Sequence, residues 1–361
     1  MPISISLLQK EHAMSVHPKK IGFLTFGHHQ RGNGSVTRSA LESLQQTIEL
    51  AVAAEDIGLD GAFLRVHHFA KQLTAPFPLL AAMAARTSRI ELGTGVIDMR
   101  YENPLAMAEE AAITDLISGG RLQLGLSRGS PEHAYRGYEA FGYGPTEGQS
   151  LSDYAREKTA RFLTAIQGKG MAPADAGGRP SAAMLPIQPQ SPGLQDRIWW
   201  GAGSRDTARW AGEQGLNLMS STLLLEDTGV PFGDLQAEQI QLFKDAWTRA
   251  GHAGTPRVSV SRSILPVVSD YDRMLFGKNM GNDQVGLLDG VQSRFGRNYI
   301  GEPDRIAEEL RKDAAVMEAD TLLITVPNQL GVEYNARMLE TIARHIAPAI
   351  GWKPATEATL V

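Results

Sequence analysis

Two pairs of adjacent histidines and two arginines flanked by small residues are the groups in this 361-residue chain whose types and spacing could do chemistry. His67-His68-Phe69 closes the run Phe63-Leu64-Arg65-Val66. Adjacent residues on a strand point to opposite faces, so at most one of the pair faces inward while the strand lasts. A histidine there can donate, accept or shuttle a proton near neutral pH. Such a pair can equally be a hydrogen-bonded part of the framework. His28-His29 closes an earlier apolar run, and the four histidines together raise the question of a metal. The pairs are adjacent rather than alternating, however. His12, His17, His133, His252 and His345 do not fall at later strand ends, and the last apolar run ends Val326-Pro327-Asn328 without a carboxylate. No metal site is expected.

The arginines carry a different chemistry. Ser127-Arg128-Gly129 follows the apolar run Leu122–Leu126. A guanidinium at a strand tip suits bidentate recognition of phosphate or carboxylate, although a surface ion pair has the same local sequence. In Trp199-Trp200-Gly201-Ala202-Gly203-Ser204-Arg205-Asp206-Thr207 a strand ends in small residues and a helix begins at once. Unpaired N–H groups at the helix start, with the Ser204 and Thr207 hydroxyls one turn apart, form an anion cradle. Ser204 is also a good N-cap with nothing bound. With Arg128 on a neighbouring strand, the phosphate reading is the stronger. The segment matches neither the P-loop nor the dinucleotide glycine fingerprint.

Strands and helices must alternate to bring these tips together, and they do. Apolar runs at Ile21–Phe26, Gly61–Val66, Ile90–Ile97, Leu122–Leu126, Arg197–Ala202, Asn217–Ser221, Val258–Val267 and Thr321–Val326 read as buried strands. Helical patterns separate them. Ser39 and Glu42 form a capping box ahead of Leu41, Leu44, Ile48 and Val52, and Gly58 closes that helix. Further helices are expected at Pro78–Arg86, Pro104–Ser118, Arg205–Gln214, Leu235–Ala250, Asp304–Glu318 and Glu333–Ile346. Eight strand–helix repeats predict a closed (β/α)8 TIM barrel, whose chemistry lies at the C-terminal strand ends. Two stretches break the rhythm. Ser130–Asp196 holds one helix, Asp153–Gln167, and the Gly/Pro/Ala-rich segment Gly168–Pro192. Ser269–Gly301 carries Gly277, Gly281, Asn282, Gly286, Asp289 and Gly290. Both are read as insertions, after strands 4 and 7, emerging at the active-site face.

Composition narrows the class. Charged residues make up 21% and the formal net charge is −5, without a basic block, so no nucleic-acid partner is expected. The absence of cysteine excludes disulfides, thiolate catalysis and Cys-ligated metal, and fits a cytoplasmic protein. No stretch approaches the roughly 20 apolar residues of a membrane span. Residues 1–18 read as a flexible tail, and 19–361 as a single barrel domain.

The block GTGVIDMRYENPLAMAEEAAITDLISGGRLQLGLSRGS (Gly93–Ser130) resembles the bacterial luciferase superfamily of flavin-dependent monooxygenases. The His67-His68-Phe69 strand end and the Gly203-Ser204 helix start resemble it too. The resemblance runs from about Ile21 to Ile346 and is weakest in the two insertions. It implies a (β/α)8 barrel that binds reduced FMN at its C-terminal face, where reaction with O2 gives a flavin hydroperoxide that oxygenates an organic substrate. It places Arg128, Ser204 and Thr207 at the flavin phosphate, His67 beside the reacting ring, and a non-proline cis peptide at Gly95-Val96 under the ring. His68, Ser127 and Gly203 fall in the same matched stretches and are expected at the cofactor. Val66 stands where the luciferases have a glutamate, and Ser127 where they have a reactive cysteine. Both departures argue against light emission and long-chain aldehyde oxidation.

The function expected is therefore an FMN-dependent monooxygenase of small organic substrates, served by a separate flavin reductase because no NAD-binding fingerprint is present. The resemblance also implies a homodimer through the early, alanine-rich barrel helices. In this reading His67 acts as acid–base or hydrogen-bond partner, and Ser269–Gly301 folds over to exclude water. A deazaflavin-dependent hydride-transfer dehydrogenase on the same barrel and a non-catalytic flavin-binding protein are the alternatives.

Overall fold

In a computed structural model the described residues are 17–32, 34–129, 132–225, 229–277, 284–288 and 291–355, with side chains described outside 278–295. Eight parallel strands close into a barrel: β1 (Lys20–Thr25), β2 (Gly61–Leu64), β3 (Glu91–Asp98), β4 (Leu122–Ser127), β5 (Ile198–Ala202), β6 (Asn217–Ser220), β7 (Val258–Pro266) and β8 (Thr321–Thr325). Each pairs in parallel with its successor, and β8 returns to β1 to close the barrel. The fold is the (β/α)8 barrel expected.

Helices α1 (Ala40–Ile57), α2 (Pro76–Ala84), α3 (Pro104–Ser118), α4 (Leu151–Ile166), α5 (Arg205–Glu213), α6 (Phe232–Ala250), α7 (Asp270–Phe276), α8 (Pro303–Leu310), α9 (Ala314–Glu318) and α10 (Gly331–His345) follow in order. Local chemistry sets their ends. Ser39 and Glu42 close a reciprocal capping box on α1, and Gly58 ends it at φ 95°. Asn103 caps α3, whose first residue is Pro104. Among the described residues no helix is long and apolar enough to cross a membrane.

Two expectations need correction. The helix expected over Asp304–Glu318 is two helices, because Asp313 turns its carboxylate onto the Val316 N–H and restarts the chain as α9. The stretch Ser130–Asp196 is not one insertion at the active-site face. Its helix, α4, is the regular barrel helix between β4 and β5. The hairpin Ala172–Asp175/Pro180–Leu185 follows α4, so it lies at the N-terminal end of the barrel. There the Ser191 hydroxyl donates to Asp115, which also accepts from the N–H of Leu122 at the start of β4. Only the segment between Arg128 and Ser150 belongs to the catalytic face.

The second insertion does emerge at that face. Strands Gln284–Leu288 and Val291–Phe295 form an antiparallel pair, and the latter pairs with Leu223–Leu224 beyond β6. Asn298–Gly301 then returns parallel to the far end of β7. Gly281, Asn282, Asp289 and Gly290 lie outside the described residues, as do residues 1–16 of the expected tail.

Candidate active site

A cavity of about 280 Å3 opens at the C-terminal ends of the strands. Its apolar floor is Leu24, Met219 and Leu323, which pack with Phe63, Trp199 and Val96 inside the barrel. Seven of the residues singled out from sequence line it: Gly95, Val96, Ser127, Arg128, Gly203, Ser204 and Thr207.

Arg128, Ser204 and Thr207 make one polar end. Arg128 follows β4 directly and has no ion-pair partner among the described residues, although a carboxylate is close by. That carboxylate, Asp98, is engaged by Arg100 at 2.6 Å. The turn depends on Gly129, at φ +86°, where a Cβ would lie 2.0 Å from Asp98 Oδ2. The Gly129 N–H donates to Ser127 Oγ at 2.8 Å, which fixes the loop that carries Arg128. Ser204, which lines the same cavity, caps α5. Its N–H donates to Thr207 Oγ1 at 3.1 Å, and the two hydroxyl oxygens stand 2.7 Å apart. A cation, two hydroxyls and a helix N-terminus therefore line one space, an arrangement made for an anion.

The adjoining wall is built from backbone and small residues. The Gly95–Val96 peptide is cis. Gly201 brings β5 close to it, since a Cβ at Gly201 would stand 3.1 Å from Val96 Cγ1. Ser220, Ser221 and Thr222 continue the lining beyond β6. Behind them Gln236 Nε2 donates to Ser220 Oγ at 2.9 Å and to the Ser221 carbonyl at 2.8 Å, while Ser220 donates to Gln239.

The histidines are held by other contacts. Neither His67 nor His68 lines the cavity; Arg65 does. His67 lies behind Arg65, with Nε2 3.3 Å from Arg65 Nε and Nδ1 3.1 Å from the Glu132 carboxylate. His68 is stacked on Tyr101 at 4.1 Å, its buried Nε2 without a hydrogen-bond partner among the described residues. Burial holds its basicity below the usual imidazole value, although Glu132 opposes the shift. His28 stacks on Phe26, and burial with the neighbouring His67 and His29 lowers its basicity as well. Among the described residues no cluster of His, Asp or Glu is arranged to hold a metal. Tyr135, in the loop after Arg128, is 93% exposed.

Arg65, Glu132, Met219, Ser220–Thr222, Ser259 and Ser261 were not singled out from sequence. For Arg65 a signal existed: it directly follows the apolar run of β2, at the strand's C-terminal end. For Glu132 there was none, because its loop has no periodicity.

The model of the family described as luciferase-like monooxygenase matches residues 20–273. The chain belongs to that family. Among curated relatives of this luciferase-like chain, the oxygenase component of the flavin-dependent trigonelline monooxygenase of Acinetobacter baylyi is 26% identical, over 91% of this chain and 95% of the relative. Among solved structures, the FMN complex of the oxygenating constituent of 3,6-diketocamphane monooxygenase from Pseudomonas putida superposes with a TM-score of 0.67. It is 19% identical and covers 93% of this chain and all of that one. A coenzyme F420 dependent tetrahydromethanopterin reductase from Methanopyrus kandleri has the same fold at a TM-score of 0.62 and 14% identity, over 92% of this chain and 99% of the other.

Proposed function

We propose that this protein is the oxygenase component of a two-component system, taking reduced FMN from a separate reductase and using O2 to oxygenate a small organic substrate. The observation that carries the reading is the polar end of the cavity. Arg128 without an ion-pair partner among the described residues, Ser204 and Thr207 supply the charge and donors of a phosphate monoester site. The wall of Gly95, Val96, Gly201 and Gly203 leaves a face without bulky polar groups, as a planar ring requires. Bound reduced flavin supplies two electrons for O2, one oxygen atom entering the substrate and the other leaving as water.

The chain's own residues do the rest. Arg128, Ser204 and Thr207 anchor the phosphate, so the cofactor's position is fixed from its far end. Ser127 holds the Arg128 loop. The apolar floor of Leu24, Met219 and Leu323 receives the carbon skeleton of the substrate, and Ser259 and Ser261 offer hydroxyls to orient it. The strands Gln284–Leu288 and Val291–Phe295, paired onto Leu223–Leu224 beside the cavity, form the cover that excludes water. His68 shapes the outer wall under Tyr101 rather than touching the cofactor.

We place the enzyme in the cytoplasm as a homodimer. On α3, Ile113, Leu116 and Ile117 are about half exposed at helical spacing, which fits a covered face. Light scattering that returned the single-chain mass at every concentration would remove the dimer.

Anaerobic titration with reduced FMN, beside a deazaflavin, tests the cofactor. Wild type is expected to bind reduced FMN and Arg128→Ala to bind it about 30-fold more weakly. Preference for the deazaflavin would make the protein a hydride-transfer dehydrogenase, and binding without substrate-dependent O2 uptake would leave a flavin carrier.

A further inference from the structure

We infer that Arg65 presents the charge at the ring end of the cavity, and that His67 and Glu132 position it so that the site favours reduced over oxidised flavin. This rests on the flavin reading above.

Three segments meet in the arrangement. Arg65 extends the line of β2 and lines the cavity beside Gly95 and Val96. Its Nη1 donates to the Gly95 carbonyl at 3.1 Å and its Nε donates to His67 Nε2 at 3.3 Å. A guanidinium has only donors, so His67 Nε2 must be the acceptor. The ring proton is then on Nδ1, where it donates to the Glu132 oxygens at 3.1 and 3.2 Å. An imidazolium would set N–H against N–H. The contacts therefore select one neutral tautomer, which has no proton to offer the cavity.

The relay leads to the guanidinium. Glu132, only 4% exposed, supplies the counter-charge one residue removed from Arg65. Phe26 backs the assembly, its ring stacked 6.2 Å from His67 and 5.9 Å from the Arg65 guanidinium carbon. Burial works against the Arg65 charge, and Glu132 and Asp98 support it. Nε and Nη1 are fixed, while Nη2 has no partner among the described residues and remains for a ligand. A flavin ring gains electron density and negative charge on reduction. A fixed cation in a partly dehydrated cavity therefore stabilises the reduced ring more than the oxidised one.

The test measures dissociation constants for reduced FMN under anaerobic conditions and for oxidised FMN in air. Arg65→Gln is expected to weaken the reduced form about tenfold and the oxidised form less than twofold. A selective tenfold loss makes the bound flavin's potential about 30 mV more negative for a two-electron couple. Arg65→Lys, which keeps the charge, should stay within about threefold of wild type in that ratio. His67→Gln can still accept from Arg65 and should hold the ratio, whereas His67→Leu should lower it about threefold. If Arg65→Gln loses its folded melting transition, Arg65→Met is judged by the same ratio. Equal weakening of both redox forms, or none, would overturn the inference. Failure of wild type to bind either form would instead overturn the flavin reading.

Discussion

The two ends of the barrel use arginine in opposite ways. At the N-terminal end Arg257, at the start of β7, is satisfied on every side. It reaches Glu91 with both terminal nitrogens at 3.0 and 3.1 Å, Thr321 Oγ1 at 3.1 Å and Asp320 at 3.5 Å, and it lies 4.9 Å from the Trp199 ring. Lys20 adds a second cation to Glu91. Burial alone would raise the Glu91 pKa, but the Arg257 and Lys20 charges outweigh it and hold the carboxyl below its ordinary range. At the C-terminal end Arg128 meets no carboxylate among the described residues, and Arg65 reaches its carboxylate only through a histidine. Paired charge closes the bottom of the barrel; at the top, beside the paired Arg100 and Asp98, Arg128 and Arg65 keep donors open for a ligand.

The largest expected effect would break that contrast from below. Arg257→Met leaves Glu91 and Asp320 short of their main cation and should cost about 3 kcal/mol or more of stability, read by denaturant unfolding, while FMN affinity changes less than twofold. Arg128→Ala is the mirror experiment. It should weaken reduced FMN about 30-fold, near 2 kcal/mol by the usual value of a charge-assisted hydrogen bond, and leave the unfolding midpoint unchanged. If the two variants exchanged their effects, the division of labour would be wrong.

A smaller effect sharpens the comparison by pH. Glu102, between β3 and α3, is pushed up to about 7, first by burial, then by Glu110 and Asp98, with Lys158 opposing. Its pKa is raised in the folded state, so the native protein holds this proton between about pH 4.3 and 7 where the unfolded chain has released it. Stability from this group therefore falls as pH rises through that window. Glu102→Gln should gain about 1 kcal/mol at pH 8 and nothing at pH 4, measured as unfolding midpoints at the two values. The smallest effect belongs to Tyr135→Ala. That side chain should change neither stability nor binding beyond about 0.5 kcal/mol.

Much of this was legible in the sequence because it is local. Arg128 sits at a strand tip, Ser204 and Thr207 open a helix, and both signals are carried by neighbours in the chain. The barrel followed from alternating apolar runs bounded by Gly, Pro and capping residues. What the sequence left open was non-local. Strand alternation could not place the adjacent histidines, because β2 ends at Leu64, and Arg65 rather than His67 lines the cavity. Glu132 joins them from a loop whose path no periodicity reveals. The break at Asp313 was hidden for a similar reason: its carboxylate is held by Arg262 at 2.7 Å and by Tyr299, both distant in sequence or across the second insertion.

The hairpin Ala172–Asp175/Pro180–Leu185 is surplus to the barrel and sits at the pole opposite the cavity. Its tip, Gly177-Gly178, lies in the left-handed region at φ +73° and +80°, with open space around both residues. That makes it a handle. A fluorophore, an affinity tag or a fused reductase attached there would leave the mouth clear and the cover undisturbed. The same attachment on the strand Val291–Phe295 would sit against Leu223–Leu224, at the cavity itself.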